Sequence, residues 1–363
     1  MANFRRKATV HAQIVAPDPS SLAALGAASV GRMAHGGTLV VIILLNAATL
    51  AGRVAEAHAQ ATQQASNNPF AGRKLYVDPN STARRQAETL RRSKPQDAAL
   101  LDEIANRPVA RWLGGWVNNI GQEVQNAVST IVGSGALPVF VAYNIPGRDC
   151  GSYSAGGASG SDAYRKWIKS FADGLGGKQA IVILEPDALP GMDCLNAAGQ
   201  ADRIALMRDA VHTLKSRGAS VYVDAGNAGW RSPQTMADRL NRVDIAAADG
   251  FSLNVSNYQT NDANIAFGEK LSKLVGGKHY IIDTSRNGKG ATNGEWCNPR
   301  GQALGVAPTT NTGHPLVDAY LWIKQPGESD GTCQGGPKAG SWWTDIALEL
   351  SRAASTLAKT ISR

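Results

Sequence analysis

The stretch "IVILEPDALP", residues 181–190, is the part of the sequence that decides the fold. Its first four residues are apolar and mostly β-branched, which is typical of a strand buried on both faces. Glu185 and Asp187 then flank Pro186, and proline is rarely tolerated inside a central strand. The strand therefore ends where two carboxylates begin, and acids at the end of a buried strand call for an explanation.

Similar apolar runs alternate with amphipathic segments along the rest of the chain. The predicted strands are 109–113, 138–143, 180–184, 220–223, 251–255, 280–283 and 319–323. The predicted helices between and after them include 162–175, 200–216, 233–241, 264–275 and 343–358. Such alternation predicts an α/β protein whose parallel sheet is covered by helices. Seven units favour a distorted, seven-stranded parallel (β/α) barrel in a single domain over an open sheet.

Four aspartates are predicted to lie at the carboxyl ends of these strands: Asp149, Asp187, Asp224 and Asp330. In a β/α barrel the carboxyl ends of the strands converge on one mouth, where the loops form the functional site. A single acid after a strand also commonly caps the next helix or shapes a turn. Because four acids are placed alike, we predict a carboxylate cluster in the functional site. We interpret Glu185 as a structural acid that supports it.

Three tryptophans, Trp112, Trp230 and Trp296, fall at strand ends or in the loops beyond them. Indole rings stack on the apolar faces of pyranose rings, while carboxylates and amides bind the hydroxyl groups. Tryptophans beside carboxylates therefore indicate a sugar polymer as the ligand. For the other five tryptophans we predict packing rather than ligand contact, and these are Trp116, Trp167, Trp322, Trp342 and Trp343.

The first 59 residues have the pattern of a secretion signal. Arg5, Arg6 and Lys7 supply positive charge, residues 39–45 form an apolar centre, and Ala57-His58-Ala59 is a small-residue cleavage pattern. We predict cleavage near Ala59, a disordered spacer over 60–68 and one folded domain over 69–363. The alternative is a membrane-anchored N-terminus, because the basic residues lie far upstream of the apolar run.

Charge and cysteine content exclude several classes of protein. The formal charge is +8 for the chain and +5 without residues 1–59, which is too mild and too scattered for a nucleic-acid site. The four cysteines are an even number in a chain predicted to be exported, so we expect disulfides, with three pairings open. Neither CxxC nor HExxH is present, and we assign no metal and no cofactor.

Six segments, in this order, resemble glycoside hydrolase family 6, the inverting cellulases that include endoglucanases and cellobiohydrolases. They are "VAYNIPGRDC", "IVILEPDALP", "VYVDAGNAGW", "FSLNVSNY", "GEWCNPRGQALG" and "YLWIKQPGESDGTC". The resemblance runs from about Leu75 to the last helix. It implies that residues 69–363 are a glycoside hydrolase catalytic domain.

The resemblance also implies roles for individual residues. Asp187 matches the general acid, and Asp149 the neighbouring aspartate that raises the pKa of the acid and helps relay a proton from the attacking water. Asp330 matches the proposed general base, although a chain of solvent is an alternative route for that proton. Asp224 matches an aspartate that supports the acid, and Tyr143 a tyrosine that crowds the reactive sugar ring and favours a distorted conformation.

Further positions match substrate-binding groups and disulfides of the family. The stacking platforms implied are Trp112, Trp230 and Trp296, and the polar groups lining the cleft are Asn254, Lys324 and Glu328. The implied disulfides are Cys150–Cys194 and Cys297–Cys333. Asn227 stands where the family often has histidine. Either Ser152 or Ser154 is expected to position the catalytic water.

We therefore predict a secreted endoglucanase that cleaves β-1,4-glucan with inversion. The segment from Trp296 to Asp330 has only 35 residues, and short loops leave a cleft open to chain interiors. A cellobiohydrolase on the same fold and a non-catalytic carbohydrate-binding protein are the alternatives. We expect a monomer with no obligate protein partner, no nucleic-acid partner and no separate cellulose-binding module.

Overall fold

The computed structural model describes residues 68–292 and 294–361. The predicted secretion signal and all but the last residue of the predicted spacer lie outside the described residues. In the described part of the chain, no helix is long and apolar enough to cross a membrane.

Seven parallel strands form one curled sheet at the centre of the protein. With a separate pair of short strands, the described residues contain nine strands: β1 (Lys74–Leu75), β2 (Arg111–Gly114), β3 (Ala136–Leu137), β4 (Val139–Tyr143), β5 (Ala180–Leu184), β6 (Ala219–Asp224), β7 (Gly250–Leu253), β8 (His279–Asp283) and β9 (Val317–Leu321). The central sheet has the order β2-β4-β5-β6-β7-β8-β9, and β1 pairs separately with β3. The predicted seven-stranded parallel sheet is confirmed.

Helices pack on the outside of the sheet. They are α1 (Thr82–Leu90), α2 (Pro95–Ala105), α3 (Ile120–Gly133), α4 (Ser161–Gly174), α5 (Ala197–Lys215), α6 (Pro233–Arg242), α7 (Asn261–Leu274) and α8 (Thr344–Ile361). Several begin after a residue whose side chain accepts a hydrogen bond from the first turn, which satisfies an otherwise unpaired N–H. These caps are Ser81, Asn119, Asn196, Ser232 and Thr260.

The strands are apolar on both faces because both faces are covered. Val141, Ile183 and Tyr222 belong to the cluster inside the curled sheet. Their neighbours Phe140 and Val182 belong to the cluster between the sheet and the helices. Side chains alternate in this way because successive residues of a strand point to opposite faces.

The barrel is distorted because its two edge strands do not form a ladder with each other. Within the described residues, β2 and β9 each have one ladder partner, and Tyr320 of β9 forms an additional isolated bridge with Thr309. The Ala110 N–H donates to the Trp322 carbonyl at 3.0 Å, and Trp112 Nε1 donates to the Ile323 carbonyl at 2.8 Å. These two bonds bridge a seam between the edge strands.

Two strands end earlier than the apolar pattern predicts. Strand β7 ends at Leu253 because Asn254 has a φ of +66°. Strand β9 ends at Leu321, and the backbone N–H groups of Ile323 and Lys324 donate instead to the carboxylate of Asp283, at 3.2 and 2.9 Å. The sequence pattern could not anticipate a side chain that takes over the hydrogen bonds of a strand.

Candidate active site

The predicted site residues meet at the carboxyl ends of the strands. They line a cleft of about 1510 Å³ at the mouth of the curled sheet. The predicted residues among its walls are Trp112, Tyr143, Asp149, Asp187, Trp230, Trp296, Lys324, Glu328 and Asp330. Asp224 lies beneath Asp187, and Asn254 is buried.

The segment after β5 is shaped to present Asp187. Glu185 and Asp187 have φ values of +49° and +70°, which are unusual for residues other than glycine. The Asp187 N–H donates to Oδ2 of Asp224 at 3.0 Å. This bond holds the turn, and backbone strain of this kind is often found at functional sites.

Glu185 has a structural position. It is fully buried, and its carboxylate accepts hydrogen bonds from the backbone N–H groups of Asn144 and Ile145 at 2.9 Å. Burial raises the pKa of Glu185 to about 7, although these bonds oppose the shift. Glu185 thus ties the end of β5 to the loop after β4, which carries Asp149.

Asp224 is a buried carboxylate with its own hydrogen-bond donors. Its oxygens accept from the N–H groups of Asp187 and Gly226 and, at 3.1 Å, from Ser252 Oγ. Burial raises the pKa of Asp224 to about 7. Donors to the charged form of a carboxylate favour ionisation, so the surroundings of Asp224 favour the negative charge more than those of Asp187 do.

The surroundings of Asp187 keep its side chain protonated. Burial raises the pKa of Asp187 well above its ordinary value, and the negative charges of Asp224, Asp149 and Asp330 raise it further. A carboxyl group with a raised pKa can donate a proton near neutral pH.

Asp149 is held beside this acid by its own loop. It has a φ of +56°, and its Oδ2 accepts a hydrogen bond from the Ser154 N–H at 2.7 Å. Burial raises the pKa of Asp149, while the Ser154 N–H and the charge of Arg148 oppose the shift. Ser154 lines the cleft, whereas Ser152 is exposed.

Asp330 has the opposite electrostatic environment. Arg286 Nη1 contacts both carboxylate oxygens at 2.9 Å, and Lys324 Nζ lies 3.5 Å from Oδ1. Oδ2 also accepts from the Asn298 N–H at 3.0 Å and from the Tyr258 hydroxyl at 3.3 Å. Burial acts to raise the pKa of Asp330, but Arg286 and Lys324 outweigh it, and the pKa lies below its usual value.

Arg286, Tyr258 and Asn298 also belong to the site, although no role was predicted for them from the sequence. Each follows a strand or lies in the long segment between β8 and β9. For Arg286, the usable signal was a basic residue just after a strand, in "DTSRNG". No role was predicted either for Asp283, whose buried carboxylate accepts from N–H groups after β7, β8 and β9. Asp283 fixes the strand ends that carry the site.

Tyr143 lies in an aromatic and cationic corner of the cleft. Its ring meets Trp112 edge-on at 5.1 Å, and the Arg148 guanidinium lies 4.4 Å from its centroid. Burial raises the pKa of Tyr143, so its hydroxyl stays neutral. Arg148 Nη1 donates to the Tyr143 carbonyl at 2.8 Å, which fixes the loop carrying Asp149.

Exposed indole rings line the cleft. Trp230 and Trp296 are 37% and 43% exposed. Trp116, which we expected to be a packing residue, also lines the cleft and is 56% exposed. The sequence spacing did not distinguish it because it lies in a turn just after β2 rather than at the strand end.

Asn254 differs in position from the expectation that it lines the cleft. It is fully buried, and its Nδ2 donates to the Asp283 carbonyl at 2.9 Å while its Oδ1 accepts from the Gln259 N–H at 3.0 Å. Its amide is therefore committed to the loop after β7. Glu328 lines the cleft, and burial raises its pKa.

Both implied disulfides are present. Cys150 is bonded to Cys194, with 6.1 Å between the Cα atoms, and Cys297 to Cys333, with 6.2 Å. The first links the loops after β4 and β5, and the second anchors the segments next to Trp296 and Asp330. The disulfides thus hold the walls of the cleft.

A protonated and an ionised carboxyl group in a cleft lined by indole rings define a site for glycoside hydrolysis. Comparison with known proteins agrees: the sequence profile of glycosyl hydrolases family 6 matches residues 70–354. The chain belongs to glycosyl hydrolases family 6.

Individual relatives cover most of the same region. Endoglucanase A of Cellulomonas fimi is 48% identical over 281 residues, which is 77% of this chain and 61% of that protein. Endoglucanase 1 of Streptomyces halstedii is 41% identical over 289 residues, 76% of this chain and 88% of the relative. The chain therefore spans less than two thirds of the length of the Cellulomonas protein.

Solved structures show the same fold. The endoglucanase Cel6 of Mycobacterium tuberculosis, in complex with methyl-cellobiosyl-4-deoxy-4-thio-β-D-cellobioside, is 46% identical with a TM-score of 0.76, covering 79% of this chain and 99% of that one. The catalytic core of the cellobiohydrolase Cel6A from Chaetomium thermophilum is 28% identical with a TM-score of 0.69, covering 79% and 98%.

Proposed function

We propose that this protein hydrolyses β-1,4-glucosidic bonds of cellulose or a related β-glucan with inversion of the anomeric centre, as a secreted endoglucanase. The observation that carries the proposal is that Asp187 lies against Asp224 whereas Asp330, in the same cleft, is paired with Arg286 and Lys324, which shifts the pKa values of the two aspartates in opposite directions. The endoglucanases of Cellulomonas fimi and Streptomyces halstedii, named for the same activity, support it. Two disulfides fit an oxidising compartment.

Asp187 is the general acid in this mechanism. Its raised pKa keeps the proton on the carboxyl group until the glycosidic oxygen accepts it. Asp224 positions the acid through the bond to its backbone N–H and, as an anion, opposes its ionisation. Tyr143 crowds the sugar ring from the side wall.

Asp330 is an ionised carboxylate, as a general base must be, but both of its oxygens are already engaged by two or more donors. We therefore assign it the role of a fixed negative charge that stabilises the positive charge developing on the sugar. The proton of the attacking water passes through solvent to Asp149, whose raised pKa makes it the stronger base.

The endo mode follows from exposure of the binding surface. Trp116, Trp230 and Trp296 all keep more than a third of their surface open. A glucan can therefore lie along the cleft from the side, without threading an end. Three exposed rings along one cleft also fit a polymer better than a single sugar.

The experiment that tests the proposal is anomer-resolved proton NMR of products released from a soluble β-1,4-glucan, in parallel with Asp187→Ala. We expect α-anomer first, and only from the wild type. β-Anomer first would overturn inversion, and binding without release would make the protein a carbohydrate-binding protein. The viscosity of carboxymethylcellulose, plotted against the reducing ends released, distinguishes endo from exo cleavage. A viscosity that falls slowly as reducing ends accumulate would indicate a cellobiohydrolase.

A further inference from the structure

Two aromatic side chains from different loops meet at the cleft, and both line it. The ring centroids of Tyr153 and Trp296 are 6.0 Å apart with an interplanar angle of 58°. Tyr153 lies on the loop after β4, and Trp296 on the segment between β8 and β9. Around the curled sheet, β4 and β8 are separated by three strands on one side and by two strands and the seam on the other. The contact therefore joins loops whose strands are not neighbours in the sheet.

The Tyr153 ring rests on backbone beside a site carboxylate. A Cβ atom on Gly331, which has a φ of +157°, would lie 2.4 Å from Cγ of Tyr153. Only glycine at position 331 lets the ring lie this close to the chain. Gly331 directly follows Asp330, and Ser154, the neighbour of Tyr153, binds Asp149 through its N–H. Tyr153 thus bridges the loops of two site aspartates.

The two loops are anchored at their bases. The Arg148 N–H donates to the Gly156 carbonyl at 3.1 Å, and Arg148 Nε donates to the Ser154 carbonyl at 2.8 Å. Cys150 and Cys297 are each held by a disulfide, three residues from Tyr153 and one from Trp296. The loops are thus fixed at their bases, and the two rings that they carry are 46% and 43% exposed.

The spacing of the rings decides where a sugar can lie. A pyranose stacked between two aromatic faces needs about 7–8 Å between them, since each contact takes about 3.5–4.0 Å. The centroids are closer than that, so a glucosyl unit does not fit between the rings.

We propose that Tyr153 and Trp296 form an aromatic clasp over the bound glucan. The rings separate to admit a chain from the side and meet again above it, so that the chain stays bound between successive cuts. Tyr153 is then a specificity-determining residue that sets how many cuts follow each binding event. The inference rests on the proposed function and extends it.

The test measures retention of the chain on swollen amorphous cellulose. Repeated cutting of one chain gives soluble reducing ends, whereas single cuts leave the ends in the insoluble polymer. We expect Tyr153→Ala to lower the ratio of soluble to insoluble ends about two- to tenfold, the range expected for loss of an aromatic contact. Tyr153→Phe should keep the wild-type ratio because it keeps the ring.

Coupling between the two rings is the second part of the test. Trp296→Ala also removes a stacking surface, so its ratio should fall at least as far as that of Tyr153→Ala. In the double variant the ratio should fall no further than in Trp296→Ala alone, because either change opens the clasp. Val306→Ala, at an equally exposed apolar residue outside the cleft, is the matched control.

The outcomes separate the clasp from the proposed function. If the wild type releases no reducing ends from the glucan, the proposed function fails. If the wild type is active, two results would overturn the clasp alone. In the first, Tyr153→Ala keeps the wild-type ratio of soluble to insoluble ends; in the second, Tyr153→Phe lowers that ratio as much as Tyr153→Ala does. Additive effects of the two alanine changes also overturn it. Melting temperatures confirm that each variant is folded.

Discussion

The backbone N–H of Asp187 donates to a carboxylate oxygen of Asp224 at 3.0 Å. Asp224 thereby fixes the backbone of Asp187, and its negative charge also opposes ionisation of the Asp187 side chain. Asp224 therefore contributes to both the position and the protonation of Asp187, together with burial and the charges of Asp149 and Asp330. The acids at the end of this buried strand thus have different surroundings: Glu185 binds the loop after β4, and Asp187 faces the cleft as the proposed proton donor.

Asp187→Asn should lower kcat on unactivated β-glucan about 100- to 10,000-fold, the usual contribution of a general acid. Asparagine has nearly the same shape and cannot donate the proton. Binding of cello-oligosaccharides, measured by calorimetry, should change little. Wild-type turnover by this variant would show that Asp187 is not the acid.

Asp224→Asn should move the alkaline limb of the kcat/KM profile to lower pH. Activity requires protonated Asp187 and is lost as pH rises through its raised pKa; removing a nearby negative charge lowers that pKa. A shift of about one unit or more is expected. The exposed Asp209→Asn is the control, and an unchanged limb in Asp224→Asn would contradict the coupling.

Arg286→Gln should move the acidic limb of the same profile to higher pH. Arg286 is the main charge that holds the pKa of Asp330 below its ordinary value. In the wild type the limb is set by Asp149, because its pKa is the higher of the two carboxylates that must be ionised. Without Arg286 the pKa of Asp330 rises, and once it exceeds that of Asp149 the limb follows Asp330 to higher pH. The surface change Arg300→Gln should leave the limb in place. An unmoved limb together with an unchanged kcat/KM at neutral pH in Arg286→Gln would mean that ionised Asp330 is not needed.

Replacing Cys297 and Cys333 together by serine should lower the free energy of unfolding by about 4 kcal/mol. The estimate comes from loop-closure entropy for a sequence separation of 36 residues. Urea unfolding of the variant and the wild type measures the difference. A loss well below 1 kcal/mol would mean that the segment around Trp296 is held by its hydrogen bonds alone.

The sequence predicted the strands well because buried parallel strands are continuous apolar runs, as in β5, which was predicted with its observed limits. Helices α1, α2 and α3 were not predicted. Helix α1 packs chiefly against α2, the next element of the chain, and its side chains are mostly polar, so its sequence lacks a long apolar run.

Site residues were predicted where the chemistry depends on the type and position of a single residue, such as Asp187. They were not predicted where function depends on partners that the fold brings together. Arg286 reaches Asp330 across 44 positions of sequence, and the burial of Asn254 follows from a left-handed backbone conformation. No local pattern specifies either contact.

The seam between β2 and β9 has a consequence for the order in which the protein opens. Strands β5 and β6 are paired on both sides, whereas β2 and β9 each have one ladder partner within the described residues. Native-state hydrogen exchange should therefore proceed fastest at β2 and β9 and slowest at β5 and β6. The wall that carries Trp112 is then the part of the cleft that loosens before the floor that carries Asp187.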